Sequence, residues 1–470
     1  MRKTKIVCTI GPASESSEMI EKLCLAGMNV ARLNFSHGSH EEHKKRIDTI
    51  REVSSRLNLP IAVLLDTKGP EFRIRTFENG KISLKAGDRF TFRSGNGVGN
   101  QECVYVNFEG LSGDVKPGDH ILVCNGLMDF VVREISGDDV VCETLTDGVL
   151  SDRKSMNFPG KVMSTEYLSE QDKADILFGI ENEVDFIACS FVSKADDLRA
   201  VREFLSEHGS PDIELIAKIE NQPGIDNIEE ICELCSGIMI GRGDMGVEIA
   251  PEKLPAVQKS LITKCRLLGK RVITATEMLE SMINSPRPTR AEVSDVANAV
   301  YDGTSAVMLS GETAAGKYPE QTVKMMASIA EATEASIHYE KRFHNYSFEM
   351  KNTVDCISHA VCGMAIDVHA KAIAVCSLSG ITVRMVSRFR CPVDIIGITT
   401  NAKSYRRLSL SWGVTPVLCE TFDSTDVLFY FAQKTTTDIM KLQKGDNIVI
   451  TGGMINGLSG NTNLIKIVTV

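Results

Sequence analysis

Eight short apolar runs, each followed by a stretch with helical periodicity, constrain the fold of this chain more than any other feature. Amphipathic stretches such as 40–57, 193–208 and 319–335 lie between these runs. Alternating strands and helices are typical of parallel α/β folds, and eight such units are what a (β/α)8 TIM barrel requires. The eight predicted barrel strands are 5–11, 29–36, 61–69, 185–191, 214–220, 237–243, 271–278 and 305–312.

Residues 70–164 interrupt this alternation, because they contain strand-like runs and turn residues but little helical pattern. We predict that they form an inserted small β domain after the third barrel strand. The alternation restarts after about residue 340, which predicts a separate open α/β domain joined through the polar segment 338–353. The predicted domains are the barrel (1–69 and 165–340), the inserted β domain (70–164) and the C-terminal α/β domain (341–470).

Composition excludes several function classes. The 470 residues carry a net charge of −10, which argues against non-specific binding to nucleic acid or to anionic membranes. No apolar run approaches the ~20 residues that span a bilayer, and the N-terminal run is too short for a signal peptide. The 14 cysteines are scattered, and the close pair Cys232 and Cys235 has no second pair to complete a zinc site. We expect reduced thiols and a cytoplasmic location.

Polar side chains gather at the C-terminal ends of the predicted barrel strands, where barrel enzymes form their active sites. Each one alone has an ordinary explanation, such as a salt bridge or a helix cap. Together they predict an active site on one rim of the barrel. They are Arg32, Asn34, Ser36, His37, Asp66, Thr67, Lys68, Lys218, Glu220, Arg242, Gly243, Asp244, Thr276, Glu277, Ser310 and Glu312.

The stretch "LIAKIENQPG" places Lys218 and Glu220 two residues apart, hence on one face of a strand. Glu220 and Asp244 follow neighbouring strands, so they could share one Mg²⁺, which suits one or two carboxylates completed by substrate oxygens and water. Arg32 and Lys218 add positive charge, and the Gly243 N–H is expected to be open to an anionic oxygen. The sequence therefore predicts a Mg²⁺ enzyme for phosphorylated or enolate-forming acids.

Several long motifs resemble those of pyruvate kinases. They are "MNVARLNFSHG", "LLDTKGPEFR", "AKIENQPG", "GRGDMGVEI", "ITATEMLESMINSPRPTRAEVSDVANAVYDG" and "VMLSGETAAGKYP", which span the whole barrel. The resemblance implies phosphoryl transfer from phosphoenolpyruvate to ADP, giving pyruvate and ATP in glycolysis. It also implies a homotetramer that can respond to a sugar-phosphate activator.

The resemblance also implies roles for single residues. Lys218 and Arg32 contact the transferring phosphoryl group, and Gly243, Asp244 and Thr276 contact the substrate, with Thr276 a candidate route for protons through water. The implied Mg²⁺ ligands are Glu220 and Asp244, and a second Mg²⁺ enters with the nucleotide. The implied K⁺ ligands are Asn34, Ser36, Asp66 and Thr67. The implied nucleotide contacts are Asn34, Phe35, Ser36, His37, Arg73 and Lys154, the last on an inserted domain that is expected to close as a lid.

The loop "SLSGIT" follows a C-terminal strand and precedes a helix, so its Ser377, Ser379, Gly380 and Thr382 could hold a phosphate at the helix N-terminus. Ordinary helix capping is the alternative interpretation. In the resembling family this loop binds an activator such as fructose 1,6-bisphosphate. The last loop, "GGMINGLSGNTN", lacks the Trp and Arg that help to hold that ligand in some relatives, so the identity of the activator stays open.

Some positions depart from the family pattern. Glu277 stands where the family usually has Gln, Ser193 replaces a common basic residue, and the inserted-domain turn "VCNGLMDF" is less acidic. These changes could alter kinetics or lid closure without altering the reaction. Glu71 matches a position that carries Lys in relatives that work without K⁺, so Glu71 predicts a K⁺ requirement. The alternative is that Glu71 simply pairs with Arg73.

Two rival functions remain open at the level of sequence. A lyase on the same barrel could also hold Mg²⁺ between a Glu and an Asp, but it would not need Arg73 and Lys154 to hold nucleotide phosphates. A non-catalytic metabolite sensor with this fold would be expected to have lost Lys218 or a Mg²⁺ ligand, and all three residues are present.

Overall fold

The computed structural model describes residues 1–453 and 462–470. In this part of the chain the strands are β1 Lys5–Thr9, β2 Val30–Asn34, β3 Ala62–Asp66, β4 Phe72–Arg73, β5 Lys81–Leu84, β6 Arg89–Ser94, β7 Cys103–Val106, β8 His120–Val123, β9 Met128–Ser136, β10 Asp139–Thr144, β11 Gly148–Ser151, β12 Ser155–Asn157, β13 Phe186–Cys189, β14 Glu214–Ile219, β15 Gly237–Gly241, β16 Arg271–Ala275, β17 Ala306–Leu309, β18 Ala372–Cys376, β19 Asp394–Thr399, β20 Val414–Leu418, β21 Asn447–Gly453 and β22 Thr462–Thr469.

The helices of the same part of the chain are α1 Ser17–Ala26, α2 His40–Leu57, α3 Leu111–Asp114, α4 Glu170–Glu181, α5 Ala195–Glu207, α6 Gln222–Asp226, α7 Ile228–Leu234, α8 Arg242–Glu248, α9 Leu254–Leu267, α10 Arg290–Asp302, α11 Gly311–Ala314, α12 Pro319–Ala335, α13 Tyr339–Asn345, α14 Thr353–Asp367, α15 Ile381–Arg388, α16 Ala402–Arg407 and α17 Thr425–Met440. None of these described helices is long and apolar enough to cross a membrane.

Eight strands close into a barrel in the order β1-β17-β16-β15-β14-β13-β3-β2, and every neighbouring pair is parallel. All eight runs predicted as barrel strands are strands, which confirms the TIM barrel. Several polar residues at the predicted strand ends lie beyond the hydrogen-bonded ladder, as Thr276 does after β16.

Apolar side chains fill the barrel interior, and Leu410 from the C-terminal region is fully buried among them. Around Leu410, the Lys5 ammonium at the start of β1 donates to the Val414 carbonyl at 2.6 Å. The Ser409 hydroxyl donates to the carbonyl of Asn29, just before β2, at 3.1 Å. The C-terminal region therefore covers the N-terminal end of the barrel and leaves the opposite rim open.

The outer helices follow local sequence signals closely. At the start of α2, Ser39 and Glu42 form a capping box, and α2 ends at Asn58 in the left-handed conformation, φ 52°. Both α2 and α12 have the predicted bounds. The predicted helix 193–208 is α5, which begins later because the backbone of Lys194 is still extended.

The segment between β3 and α4 is β structure, as predicted. Its strands form a seven-stranded sheet, β4-β12-β8-β9-β10-β6-β7, and a two-stranded sheet, β11-β5. Phe90, Phe92 and Phe130 pack against one another with ring centroids 5.1–5.9 Å apart and are fully buried. This segment therefore has a core of its own.

The C-terminal sheet has the order β20-β19-β18-β21-β22, in which only β22 is antiparallel to its neighbour. This confirms the open α/β architecture. The polar segment 338–353, within which we place the linker, contains the helix α13, although its sequence shows no helical period. Tyr339 and Phe343, four residues apart, bury one helical face (8% and 5% exposed), and Tyr339 packs against Trp412 with ring centroids 5.2 Å apart.

Candidate active site

A cavity of about 520 Å³ lies where the open rim of the barrel meets the inserted β domain. Five of its lining side chains are Arg or Lys and two are acidic, so the cavity suits an anionic ligand. The lining residues are Arg32, Asn34, Ser36, His37, Lys68, Glu71, Arg73, Arg153, Ser190, Phe191, Lys218 and Asp244.

Lys218 is held in this cavity by three side-chain oxygens. Its ammonium lies 2.7 Å from Ser190 Oγ, 3.1 Å from Glu220 Oε1 and 3.2 Å from Asp66 Oδ1. Burial favours loss of the proton, but Asp66 and Glu220 outweigh burial and raise the pKa of Lys218 above its ordinary value. Lys218 therefore presents a protonated ammonium to the cavity at any physiological pH.

Asp66, the last residue of β3, is fully buried and neutralised from two sides. Arg32 Nε donates to Asp66 Oδ2 at 2.6 Å, and Lys218 lies close to the other oxygen. Burial opposes ionisation, but Arg32 and Lys218 outweigh it and hold the pKa of Asp66 below its ordinary value. Arg32 also donates to Thr9 Oγ1 at 2.9 Å, so the guanidinium is fixed between β1 and β3.

Glu220 and Asp244 are the carboxylates predicted to share a metal ion, and they follow the neighbouring strands β14 and β15. Glu220 is 2% exposed and accepts from the Phe191 N–H at 2.9 Å. Burial raises the pKa of Glu220 despite the nearby Lys218, and Asp244 adds to the rise. Burial in the cleft also raises the pKa of Asp244. Lys218 opposes this rise, and the negative charge of Glu71 adds to it. Two incompletely compensated carboxylates suit a divalent cation.

The chemistry of this donor set fits Mg²⁺. No group of three or more His, Cys, Asp or Glu in residues 1–453 and 462–470 could hold a metal by itself. Mg²⁺ does not need such a group, because it keeps water and is completed by substrate phosphate oxygens. Glu220 reaches its position because residue 241 is Gly: a Cβ on Gly241 would lie 2.5 Å from Glu220 Oε1.

Thr276 follows β16 in the left-handed conformation, φ 69°. A β-branched residue there costs about 1–3 kcal/mol, and such strain clusters at functional sites. Thr276 Oγ1 donates to the Ala275 carbonyl at 2.6 Å and accepts from the Gly243 N–H at 2.8 Å. The expectation that the Gly243 N–H is open to substrate is therefore wrong for this conformation, since Thr276 takes that hydrogen bond.

The four residues predicted to bind K⁺ come from two paired strand ends, with Asn34 opposite Asp66. Asn34 and Ser36 line the cavity, whereas Asp66 and Thr67 lie buried behind it. Asn34 Oδ1 accepts from the Ser36 N–H at 3.1 Å. The backbone pairing places Asn34 beside Asp66, and the binding of K⁺ by the four residues stays a prediction.

Of the predicted nucleotide contacts on the barrel, some line the cavity and one has its side chain buried. Ser36 and His37 are exposed and line the cavity. Phe35 is 8% exposed and stacks on His43 with ring centroids 4.0 Å apart. The Phe35 ring therefore packs in the interior, and only its backbone is placed to meet a nucleotide.

On the inserted domain, Arg73 lines the cavity and forms a close ion pair with Glu71. This pairing is the alternative that the sequence left open for Glu71. Lys154 is exposed and lies outside the cavity lining, whereas the adjacent Arg153 lines it. Arg153 is thus a cavity cation that sequence analysis missed.

Sequence analysis also missed Ser190, which lies one residue beyond β13. Its hydroxyl accepts from Lys218 and donates to the Thr67 carbonyl at 2.7 Å. The signal was available, because Ser190 lies near the end of the run "IACSF", at the same rim as the other selected residues. No residue of that fourth strand was selected.

In the C-terminal domain, Gly380 takes φ 76° directly before α15. Ser379 is exposed, while Thr382 is 2% exposed with its hydroxyl 2.6 Å from that of Thr462. Thr382 therefore faces the domain interior. Most of the loop "GGMINGLSGNTN" lies outside the described residues, so the prediction for it is not addressed by the structure.

The departures from the family pattern lie around the site. Glu277 is exposed, and Ser193 accepts from the Asn221 side chain at 3.0 Å. The changed turn joins β8 to β9 through Cys124, Asn125 and Gly126, all with positive φ. No named site residue is replaced by any of them.

Comparisons with known proteins agree with this geometry. The family model of the pyruvate kinase barrel domain matches residues 1–323, and that of the pyruvate kinase alpha/beta domain matches residues 355–468. Pyruvate kinases of Staphylococcus epidermidis (strain RP62A) and Staphylococcus aureus (strain MRSA252) are each 50% identical over 470 residues, which cover 99% of this chain and 80% of each relative. A crystal structure of a pyruvate kinase from Cryptosporidium parvum matches with a TM-score of 0.95 and 38% identity, covering 100% of this chain and 96% of that chain. This chain belongs to the pyruvate kinase family.

Proposed function

We propose that this chain transfers the phosphoryl group of phosphoenolpyruvate to ADP and releases pyruvate and ATP, as a step of glycolysis. Membership of the family supports the reaction. The observation that carries it is the Lys218 ammonium, which is fixed between Asp66 and Glu220 and faces a cavity rich in cations.

A coupled assay tests this proposal by following pyruvate formed from phosphoenolpyruvate and ADP in the presence of Mg²⁺ and K⁺. We expect pyruvate and ATP in equal amounts, and no pyruvate when ADP is left out. Pyruvate formation that does not depend on ADP, or no turnover at all, contradicts the proposal.

In the proposed reaction, an oxygen of the terminal phosphate of ADP bonds to phosphorus while the bond from phosphorus to the enol oxygen breaks. Negative charge spreads over the phosphoryl oxygens in the transition state. Lys218 and Arg32 are cations already held in place, so they can stabilise this charge without reorganising. Arg73 and Lys154 of the inserted domain are assigned to the nucleotide phosphates.

The enolate that remains takes up a proton at its methylene carbon. Thr276 is our candidate for placing the water that delivers the proton. Its own hydroxyl proton is committed to the Ala275 carbonyl, which favours a positioned water over direct donation by Thr276.

We assign one Mg²⁺ to Glu220 and Asp244 and a second to the bound nucleotide, and we assign K⁺ to Asn34, Ser36, Asp66 and Thr67. When bound, these ions supply charge neutralisation at the phosphoryl and enolate oxygens. The inserted domain is proposed to close over the cavity and to exclude water.

The two rival functions are disfavoured. A lyase has no use for the Arg73 and Arg153 guanidinium groups, which line the cavity from the inserted domain. A non-catalytic sensor would not need Lys218 held against both Asp66 and Glu220. Family membership supports the kinase over both.

We further propose the division into barrel, inserted domain and C-terminal domain at residues 70, 165 and 341, a homotetramer, and a cytoplasmic location. The loop 377–382 is proposed to bind a phosphorylated activator. These proposals rest on the resemblance to the family, and the separate hydrophobic cores of the three regions support the division.

A further inference from the structure

Thr276 and Glu277 adopt the left-handed conformation one after the other, with φ 69° and φ 53°. Both carry side chains, and Thr276 is β-branched, so this turn goes against the intrinsic preference of its residues. The turn also takes their carbonyls out of the barrel ladder, and these partly buried carbonyls need donors other than a neighbouring strand. The turn therefore depends on partners from outside itself.

Arg242, the first residue of α8, supplies those donors. Its Nη2 donates to the Thr276 carbonyl at 2.6 Å and to the Glu277 carbonyl at 3.1 Å, and its Nε donates to the Ala275 carbonyl at 3.2 Å. Arg242 is 7% exposed. One buried guanidinium thus serves three successive carbonyls at the end of β16.

The remaining side of the guanidinium is satisfied away from the cavity. Nη1 lies 2.7 Å from Asp295 Oδ2 on α10 and 3.3 Å from Gln258 Oε1 on α9. Within the described chain, Arg242 is not among the residues that line the catalytic cavity. The charge of Arg242 is therefore paired with Asp295 beside the site and does not face the cavity.

The residues that follow Arg242 connect this arrangement to the site. The Gly243 N–H donates to Thr276 Oγ1 at 2.8 Å, and Asp244 comes next in α8. We propose that Arg242 is a positioning residue: it fixes Thr276 in the left-handed conformation and so sets the place of the Thr276 hydroxyl relative to Asp244. The inference rests on the substrate role proposed for Thr276.

Arginine suits this position because its planar fork offers five donors in fixed directions, whereas lysine offers three donors around one point. Arg242→Lys keeps the charge opposite Asp295 but cannot reach three carbonyls. We expect Arg242→Lys to lower kcat about 10- to 100-fold, because small displacements of a positioned group cost that much. The KM for phosphoenolpyruvate should change less. Arg199→Lys, at an exposed ion pair, is the matched control and should leave kcat unchanged.

A double-mutant cycle with Thr276→Ala separates positioning from simple stabilisation. If Arg242 acts through the Thr276 hydroxyl, Arg242→Lys should lower kcat by no more than about twofold in the Thr276→Ala background. A purely structural role would lower the melting temperature in both backgrounds and leave kcat of the folded enzyme unchanged. That result, or an equal loss of kcat in both backgrounds, overturns the inference.

The remaining outcomes are also decisive. If Thr276→Ala lowers kcat while Arg242→Lys does not, the inference fails and the proposed role of Thr276 stands. If Thr276→Ala leaves kcat unchanged, both fail. Should Arg242→Lys not fold, Asp295→Asn replaces it in the cycle, since it removes the charge of the ion pair at Nη1 and so weakens the hold on the guanidinium. Asp295→Asn should then lower kcat less than Arg242→Lys would, and this loss should disappear in the Thr276→Ala background. A loss of kcat that persists in that background contradicts the inference.

Discussion

The Lys218 ammonium, in β14, lies 3.1 Å from Oε1 of Glu220, the residue that directly follows this strand. The cation proposed for the phosphoryl group and a proposed Mg²⁺ ligand are thus positioned by one strand and the residue that follows it. Glu220 is held a second time by the Phe191 N–H. A change that displaces the Glu220 carboxylate should therefore weaken Mg²⁺ binding while leaving Lys218 present.

Gly241→Ala makes that change. The added Cβ would lie 2.5 Å from Glu220 Oε1, and the φ of Gly241 is −86°, so the effect comes from contact with the carboxylate and not from backbone strain. We expect the Mg²⁺ concentration for half-maximal activity to rise about tenfold or more, as for other changes behind a metal ligand. Gly246→Ala, which meets no heavy atom within 4 Å, is the control. Equal Mg²⁺ dependence in both variants contradicts the placement of Glu220.

The K⁺ requirement is tested at Glu71. We expect little activity in tetramethylammonium buffer and full activity when KCl replaces it at constant ionic strength. Glu71→Lys should relieve the requirement, because a fixed ammonium would take the place of the ion. Glu78→Lys makes the same charge change at an exposed site of the inserted domain and should leave the requirement intact.

The ion pair between Glu71 and Arg73 gives the alternative interpretation a distinct expected result. If pairing with Arg73 is the whole role of Glu71, the activity of the parent protein will be the same with and without K⁺. That result would remove both Glu71 and the proposed K⁺ ligands from the mechanism.

The activator loop is tested by titrating activity with several sugar phosphates and nucleotides. Thr382→Glu would place a charge in the domain interior, where Thr382 is 2% exposed, so the exposed Ser379 is the better site. We expect Ser379→Glu to abolish the response by repelling the phosphate. Ser424→Glu, also exposed in the same domain, should respond like the parent. No response of the parent to any ligand, or an unchanged response in Ser379→Glu, counts against the site.

A pH-dependent contribution to stability is expected from Glu214 at the opposite end of β14. Burial opposes its ionisation, but Arg271, Arg384 and Arg407 outweigh burial and lower the pKa of Glu214 to about 2, from an ordinary value of 4.5. Because the folded-state pKa is depressed, the stabilisation is complete above about pH 4.5 and is lost as the pH falls toward 2.

Glu214→Gln should therefore lower the free energy of unfolding by about 3 kcal/mol at pH 7, and by progressively less as the pH falls below about 4.5. Urea unfolding at a series of pH values measures the difference. Glu229→Gln removes an exposed pair with Lys264 and, as the control, should leave the free energy of unfolding nearly unchanged at each pH. A Glu214→Gln deficit that is the same at pH 7 and pH 3.5 would show that the arginine pairing is not its source.

The barrel and much of the site could be predicted because they depend on short-range pattern and one general rule. Buried strands such as β15 are continuous apolar runs, and the rule that barrel sites form at C-terminal strand ends selected Lys218, Glu220 and Asp244. The same rule would have selected Ser190 had it been applied to the fourth strand.

Other features depend on partners that are distant in sequence. The left-handed turn at Thr276 is not a local preference, because Arg242 holds it from 34 residues away. The buried position of Thr382 depends on Thr462. The helix α13 could not be predicted because its sequence is mostly polar. The residue that Tyr339 packs against, Trp412, is more than 70 residues away along the chain.

Single-turnover phosphoryl transfer by Lys218→Met tests the central claim most directly. The measurement follows labelled phosphate from phosphoenolpyruvate to ADP by rapid quench, beside binding of Mg²⁺ and phosphoenolpyruvate at equilibrium, with Lys324→Met at an exposed ion pair as the control. We predict binding within a few-fold of the parent and a transfer rate at least about 10³-fold lower, because a preorganised cation acts on charge that develops in the transition state. A transfer rate in Lys218→Met within a few-fold of the parent would contradict the account.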